Sequence, residues 1–134
     1  MVQVIDASVA LKWFIKEDGF ETALTILEKV FADPNSYAVP ELFYFELSHV
    51  FNRSFREATK KQYDLLKEVI QLGINRFKMT DELLDEITRF QKIGLSGYDS
   101  AYVALAEMLN GQWLTFDAKA HHIIRSYNLS ILLK

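Results

Sequence analysis

Residues 2–15 read VQVIDASVALKWFI, and this stretch decides the fold. Val2–Ile5 is a short apolar run with β-branched side chains, which predicts a buried strand. Asp6 interrupts the run, and Ser8–Ile15 then has the character of a helix. A strand that passes through an acid directly into a helix is typical of a β–α unit, so the chain begins as an α/β protein.

The rest of the chain continues this alternation of strands and helices. Further strands are predicted at Tyr37–Val39, Arg76–Met79, Trp113–Phe116 and Ile131–Leu133. Further helices are predicted at Glu21–Phe31, at Glu41–Ala58, after a cap at Thr59, from Thr80 to Ile93, at Asp99–Asn110 and at Ala118–Tyr127. Such alternation predicts a three-layer α/β/α arrangement with a central, mainly parallel sheet of four to five short strands. We expect one domain over residues 1–134.

Composition narrows the class of protein. Half of the 134 residues are hydrophobic and 25% are charged, which is an ordinary globular balance. The absence of cysteine excludes thiolate zinc sites, iron–sulfur clusters and thiol catalysis. No signal-peptide pattern and no membrane-spanning apolar run is visible, so we expect a cytoplasmic protein without a membrane partner. The net charge of −3 argues against a broad basic nucleic-acid surface, but a nuclease built from acids also lowers its net charge.

Two acids follow predicted strands. Asp6 follows Val2–Ile5, and Asp117 follows Trp113–Phe116. Because active sites of open parallel sheets form beyond the carboxyl ends of the strands, both acids are predicted at one edge of the sheet. Capping is an open alternative for each acid taken alone, since an Asp N-cap is worth about 1 kcal/mol to a helix. The same alternative applies to Asp99, which begins a predicted helix.

Glu46 lies in a different setting. The surrounding segment, Leu42–Phe51, is apolar around most of the circumference of a helix, and this pattern predicts a buried helix. A buried carboxylate without a partner costs several kcal/mol. We therefore expect Glu46 to have a basic side chain or a cation as its partner.

The type of ligand indicates the chemistry. Dispersed carboxylates without thiolates favour Mg²⁺ or Mn²⁺ over zinc. Such an ion activates a bound water and neutralises charge that develops on phosphorus. The four acids therefore predict a metal-dependent phosphodiesterase, with a ribonuclease as first choice. The sequence leaves open whether one or two ions bind.

Four segments together resemble the motifs of the PIN-domain family, and specifically the VapC-type toxins of prokaryotic toxin–antitoxin pairs. The segments are VIDASVALKWF, VPELFYFEL, LSGYDSAYVALAE and WLTFDAKA, and they align Asp6, Glu46, Asp99 and Asp117 with the acids of the family. Each motif is weak by itself, but all four occur in order at the spacing of a full domain. The resemblance covers nearly all 134 residues.

The resemblance implies a PIN-like fold and Mg²⁺- or Mn²⁺-dependent cleavage of RNA, with the four acids as catalytic metal ligands. It implies that Asp6 and Asp99 are the direct ligands, and that the other two acids bind directly or through water. Ser8 and Thr115 occupy the positions of the family's supporting hydroxyls. The substrate RNA and its cleavage sequence are not implied.

The resemblance also implies partners. It implies a VapB-type antitoxin that covers the site, and a homodimer or higher homo-oligomer. Lys12 lies six residues after Asp6 and Lys119 lies two residues after Asp117, so we predict that they contact RNA phosphates. Ordinary solvated charge is an equal alternative for each lysine. Trp13 or Phe14 is predicted to contact the antitoxin.

Other functions stay open at this point. A PIN nuclease with a housekeeping role in RNA processing would carry the same acids. A PIN domain with a decayed site would serve as an interaction module without activity. A phosphatase that forms an aspartyl-phosphate on Asp6 ranks lowest, because its chemistry generally uses a second acid two residues later, where this chain has Ser8.

Overall fold

Five parallel strands form the single sheet of the protein. The computed structural model describes residues 1–134, and its strands are β1 (Gln3–Ile5), β2 (Tyr37–Pro40), β3 (Asn75–Phe77), β4 (Trp113–Thr115) and β5 (Ser130–Leu132). Their order across the sheet is β3-β2-β1-β4-β5, and every pairing is parallel. The predicted α/β/α class and the predicted strand number are both confirmed.

Seven helices flank this sheet. They are α1 (Ala7–Leu11), α2 (Phe20–Ala32), α3 (Leu42–Ser54), α4 (Lys60–Ile70), α5 (Asp81–Ile93), α6 (Gly97–Met108) and α7 (Ala118–Ile124). Short 3₁₀ turns at Pro34–Ser36 and Arg125–Tyr127 precede β2 and β5. None of the helices combines the length and the apolar character that crossing a membrane requires.

Some helices are shorter than their sequence patterns predict. The predicted helix Glu41–Ala58 ends at Ser54, because Phe55 leaves the helical region with φ −121° and ψ 86°. Thr59 then caps α4 in a capping box with Gln62, as its position predicts. The predicted helix Ser8–Ile15 also ends early, at Leu11.

The order of the strands creates a crevice between β1 and β4. From β1 the chain builds β2 and β3 on one side, and it then crosses to the other side of β1 to form β4. Such a reversal of direction is a topological switch point, where open α/β sheets bind ligands beyond the carboxyl ends of the strands. In the register of this pair, Ile5 lies beside Leu114. Asp6 therefore leaves β1 next to the end of β4.

Helix α6 is buried along most of its length. Residues 100–106 are all buried, and α6 packs against β1, β2 and β4. Its three alanines let the helix approach the sheet closely, and a helix that is apolar all round is expected to be buried. Because α6 leads directly into β4, it runs against the strand direction. The acid in its first turn, Asp99, therefore lies at the edge where the strands end.

The prediction that α3 is a buried helix holds for only one side of the helix. One stripe of α3 is buried, and it consists of Phe43, Tyr44, Leu47 and Phe51. The opposite side carries Phe45, which is 71% exposed. Apolar composition did not reveal this exposed side, because α3 has an aromatic residue there in place of a polar one. Glu46 lies between the two sides and is half-buried.

Candidate active site

Four acids from separate parts of the chain reach one region at the carboxyl edge of the sheet. Asp6 ends β1, Asp117 follows β4, Asp99 lies in the first turn of α6, and Glu46 lies in α3. Burial is the largest cause of the raised pKa values of Asp6 and Asp99, and the acids also act on one another, because the charge of Asp99 raises the pKa of Asp6 and that of Asp117 raises the pKa of Asp99. Asp6 and Asp99 both raise the pKa of Glu46, where burial is the larger cause. The fold thus gathers residues that the sequence holds up to 111 positions apart.

Asp6 is the most perturbed of these acids. Its side chain is 8% exposed and makes no capping hydrogen bond to α1. Burial and, to a smaller extent, the charge of Asp99 raise its pKa to about 6, although hydrogen bonds from Ser8 and Thr115 act to lower it. Helix capping therefore does not explain Asp6, because its buried carboxylate makes no hydrogen bond that caps α1.

Two hydroxyls fix one oxygen of Asp6. Ser8 Oγ donates to Asp6 Oδ2 at 2.5 Å, and Thr115 Oγ1 donates to the same oxygen at 3.0 Å. Each hydroxyl also accepts a backbone N–H from the chain after β4, Ser8 from Phe116 at 3.4 Å and Thr115 from Asp117 at 3.0 Å. These bonds tie the end of β1 to the end of β4 and leave Asp6 Oδ1 free.

The other two helix-terminal acids differ in their capping roles. Asp117 caps α7, since its Oδ1 accepts the backbone N–H of Ala120 at 3.0 Å. Asp99 does not cap α6, because the helix begins at Gly97 and Ser96 is the cap, whose Oγ accepts the Asp99 N–H at 3.0 Å. The predicted start of this helix at Asp99 was thus two residues late. Among the three aspartates, only Asp117 has a carboxylate whose presence is explained by helix capping alone.

Glu46 has a partner that the sequence analysis did not identify. Tyr102 on α6 donates its hydroxyl hydrogen bond to Glu46 Oε1 at 2.8 Å. Tyr102 is 1% exposed, and its ring stacks on Trp113 with centroids 5.8 Å apart. The available signal was its spacing, because Tyr102 follows Asp99 by three residues and residues three apart share a helix face.

No basic side chain neutralises the four acids. None of the ion pairs of the protein involves any of them. No three acidic or histidine side chains are gathered closely enough to hold a metal ion as they stand. The donor set nevertheless fits Mg²⁺ or Mn²⁺, because these hard cations prefer carboxylate oxygens. Asp6, Glu46 and Asp117 each use one oxygen for a hydrogen bond within the chain and keep the other free.

The two lysines predicted to contact RNA have different surroundings. Lys12 Nζ binds Glu17 Oε1 at 3.0 Å and the Asp18 carbonyl at 2.7 Å. Lys119 is exposed and lines an open cavity of about 470 Å³ together with Asp99 and Asp117. Lys119 is therefore the lysine that the fold places beside the acids with its ammonium unpaired.

Trp13 and Phe14, the two alternatives for the predicted antitoxin contact, have different surroundings. Trp13 is 4% exposed, and its Nε1 donates to the Ala23 carbonyl at 2.8 Å, so it holds α2 against the segment after α1. Phe14 is half-buried and packs edge-on against Phe51, with ring centroids 5.4 Å apart. The two adjacent aromatic residues that follow α1 thus mainly serve the core.

The overall fold is similar to those of several solved structures. PAE2754 from Pyrobaculum aerophilum matches with a TM-score of 0.65 at 18% identity, over 92% of this chain and 86% of that one. The sarcin–ricin loop cleaving toxin VapC20 from Mycobacterium tuberculosis matches with 0.66 at 12%, over 90% and 93%. VapBC2 from Rickettsia felis, bound to a DNA fragment from its promoter, matches with 0.66 at 14%, over the full length of both chains. At these identities the likeness concerns the fold.

Sequence comparison identifies the family. No curated protein sequence is significantly similar to the chain. The family model of the PIN domain, however, matches residues 4–125, which include all four acids. The chain therefore belongs to the PIN-domain family.

Proposed function

We propose that this protein is a metal-dependent endoribonuclease that hydrolyses phosphodiester bonds in RNA. The observation that carries the proposal is the meeting of four acids at the switch point of the sheet without a basic partner. Buried charges in structural roles are normally paired within the chain. Here burial is the main cause that raises the pKa of Asp6 to about 6, and burial together with the charges of neighbouring acids raises the pKa values of Glu46 and Asp99. Perturbed acids of this kind are typical of functional sites.

The negative charge of these four carboxylates favours the binding of a divalent cation. We propose that Asp6 and Asp99 bind Mg²⁺ or Mn²⁺ directly, and that Glu46 and Asp117 bind it directly or through water. When bound, the ion supplies an activated water and offsets the negative charge that develops on the phosphate. The free oxygens of Asp6, Glu46 and Asp117 are the groups available for this role.

The remaining site residues orient these acids. Ser8 and Thr115 hold Asp6 Oδ2, so they restrict rotation of the carboxylate. Supporting hydrogen bonds of this kind keep metal ligands in place and commonly change metal affinity or activity 10–100-fold when removed. We assign the two hydroxyls this supporting role.

Lys119 is the residue that we assign to the RNA backbone. A polyanion that approaches four acids is repelled, and the net charge of −3 gives the chain little general attraction for RNA. The exposed ammonium of Lys119 lines the cavity beside Asp99 and Asp117, where it can contact a phosphate oxygen. Lys12 is a weaker candidate, because its ammonium already binds Glu17 and a backbone carbonyl.

We further propose that the nuclease is the toxin of a type II toxin–antitoxin pair and acts in the cytoplasm on cellular RNA. Family membership together with the VapC20 and VapBC2 fold matches supports this role. A VapB-type antitoxin is the partner that it would require. A PIN nuclease of housekeeping RNA processing is the alternative, and growth arrest on expression that Asp6→Asn relieves would favour the toxin.

An apolar surface beside the acids supports self-association. Phe45, Tyr98 and Met79 are 71%, 66% and 61% exposed. They border two grooves that share Leu42 and Tyr98. A cluster of exposed apolar side chains is typical of a protein interface, so we propose that this surface is covered in a homodimer or higher homo-oligomer.

One observation favours an inactive interaction module as a second candidate. No three acids stand at metal-ligand distance from one another, as a preassembled centre would require. Metal binding separates the two candidates, because a decayed site would bind no divalent ion and a functional one would gather the acids around it.

The decisive experiment is cleavage of total cellular RNA by the purified protein with Mg²⁺ or Mn²⁺. Defined fragments that vanish with EDTA and with Asp99→Asn are expected. Asp85→Asn, which changes an exposed acid on α5, is the matched control and should leave the fragments unchanged. Absence of both cleavage and calorimetric Mn²⁺ binding would overturn the proposal in favour of the interaction module.

A further inference from the structure

Tyr102 is a buried phenol whose hydrogen bond leads directly into the acidic site. Its hydroxyl donates to Glu46 Oε1 at 2.8 Å, although the two residues lie 56 positions apart in the sequence. A phenol is protonated at neutral pH, so Tyr102 is the donor in this hydrogen bond.

A single hydrogen bond within the chain orients the carboxylate of Glu46. Its side chain is longer than that of an aspartate and has one more rotatable bond, so it loses more conformational freedom when it is fixed. It is half-buried on the side of α3, and the Tyr102 hydroxyl is the only group in the chain that forms a hydrogen bond with its carboxylate. Removal of that donor would free Glu46 to rotate.

The ring of Tyr102 is held in place by packing in the core. Its ring stacks nearly parallel on Trp113 of β4, at an angle of 17°. Both rings are buried, with Tyr102 1% and Trp113 0% exposed. On α6, Tyr102 also follows Asp99 by three residues, which places the two on neighbouring positions of one helix face. The helix that carries Asp99 thus also carries the group that holds Glu46.

We propose that Tyr102 is a positioning residue of the nuclease site, which holds Glu46 in register with Asp99 through its phenol hydrogen bond. This inference rests on the proposed function. Tyr102 does not touch the substrate in this role, and it acts through the carboxylate of Glu46. Its removal is therefore expected to weaken metal binding and turnover and to leave the binding of RNA unchanged.

The test compares Tyr102→Phe with the wild-type protein. The variant keeps the ring on Trp113 and removes only the hydroxyl. We expect the Kd for Mn²⁺, measured by calorimetry, to rise about 10-fold, and kcat to fall about 10-fold while KM for RNA changes less than 2-fold. Tyr44→Phe is the matched control, since it removes a buried phenol oxygen that has no hydrogen-bond partner. It should leave both constants unchanged.

A double-mutant cycle with Glu46→Ala tests whether Tyr102 affects metal binding and turnover through Glu46. If Tyr102 acts through Glu46, Tyr102→Phe should change neither Kd nor kcat further in the Glu46→Ala background. Additive losses would overturn the positioning role, as would a Tyr102→Phe protein that binds Mn²⁺ and cleaves RNA like wild type. Failure of the wild-type protein to bind Mn²⁺ is a different result, because it would overturn the proposed function itself and this inference with it.

Discussion

The hydroxyl of Thr115 donates a hydrogen bond to Asp6 Oδ2 at 3.0 Å, although the two residues lie 109 positions apart in the sequence. Thr115 is fully buried, and its oxygen also accepts the backbone N–H of Asp117. One side chain at the end of β4 thus fixes the positions of two acids from different strands. The link lies at the switch point between β1 and β4, where the topology itself places the crevice.

Thr115→Val should remove this link with little change of shape. We expect the free energy of unfolding to fall by about 1–3 kcal/mol, because the Asp117 N–H loses a buried acceptor. Cleavage of RNA should fall at least about 10-fold, because Asp6 loses a supporting donor. Urea unfolding and cleavage assays measure the two effects.

Thr25→Val is the matched control for that variant. Thr25 is exposed, and its hydroxyl donates only to the Glu21 carbonyl in its own helix. Its replacement should change stability by less than about 0.5 kcal/mol and leave cleavage unaffected. Equal effects of the two substitutions would contradict a special role for Thr115.

Asp6→Asn should stabilise the metal-free protein at neutral pH while it abolishes cleavage. Burial raises the pKa of Asp6 from 3.8 to about 6, so the folded protein holds a proton there that the unfolded chain releases. The contribution of Asp6 to stability therefore falls as pH rises from about 4 to above 6, by up to about 3 kcal/mol. The neutral amide removes this cost and still accepts from both hydroxyls.

The measurement is urea unfolding in EDTA at several pH values. The variant should exceed wild type by about 1–3 kcal/mol at pH 7.5, and the two should converge near pH 4, where Asp6 is protonated in the folded state. Asp85→Asn, at an exposed position, should show no such pH-dependent gain. A variant less stable than wild type at pH 7.5 would show that the Asp6 charge is compensated within the chain.

The sheet could be predicted because strand and helix signals are local. The run Val2–Ile5, the cap at Thr59 and the end of a helix at Ile93 each depend on a few neighbouring residues, and the structure agrees with all three. Helix burial is not local. Both α3 and α6 are rich in apolar residues, but only α6 is buried along its length, because only α6 crosses the middle of the sheet.

The acids of the site could be predicted for a related reason. Asp6 and Asp117 follow strands, and a parallel sheet brings the ends of its strands to one edge. Tyr102 could not be identified in the same way, since its role depends on the packing of α6 against α3 and β4. The pairing of Lys12 with Glu17 also depends on a turn whose backbone the sequence pattern does not specify.

Lys119→Ala should weaken RNA binding more than catalysis. Its ammonium is exposed in the cavity with Asp99 and Asp117, and it is not part of an ion pair. We expect KM to rise about 5-fold while kcat stays within about 2-fold of the wild-type value. The slope of the logarithm of RNA affinity against the logarithm of salt concentration should decrease in magnitude by about one, which corresponds to one lost phosphate contact. Lys61→Ala, an exposed lysine on α4, is the control. Equal salt slopes for wild type and Lys119→Ala would exclude the phosphate contact.

Gly111→Ala should destabilise the protein more than any surface substitution. A Cβ at this position would lie 1.8 Å from the backbone carbonyl oxygen of Val2, which cannot rotate away as a side chain could. Relief of this clash must move β1 away from β4, so we expect a loss of at least about 3 kcal/mol. The same displacement separates Asp6 from Thr115, so cleavage should fall with stability even at temperatures where the variant remains folded.

Gly97→Ala provides the comparison, because it adds the same methyl group at the start of α6. There the new Cβ meets only the flexible side chain of Gln91, at 3.3 Å. Stability should change by less than about 1 kcal/mol, since a helical position tolerates alanine well. Thermal unfolding of both variants measures the contrast. If Gly111→Ala unfolds at the same temperature as wild type, then the close approach of the chain before β4 to the start of β1 is not required, and the register that holds Asp6 beside Thr115 must be maintained by the strand pairing alone.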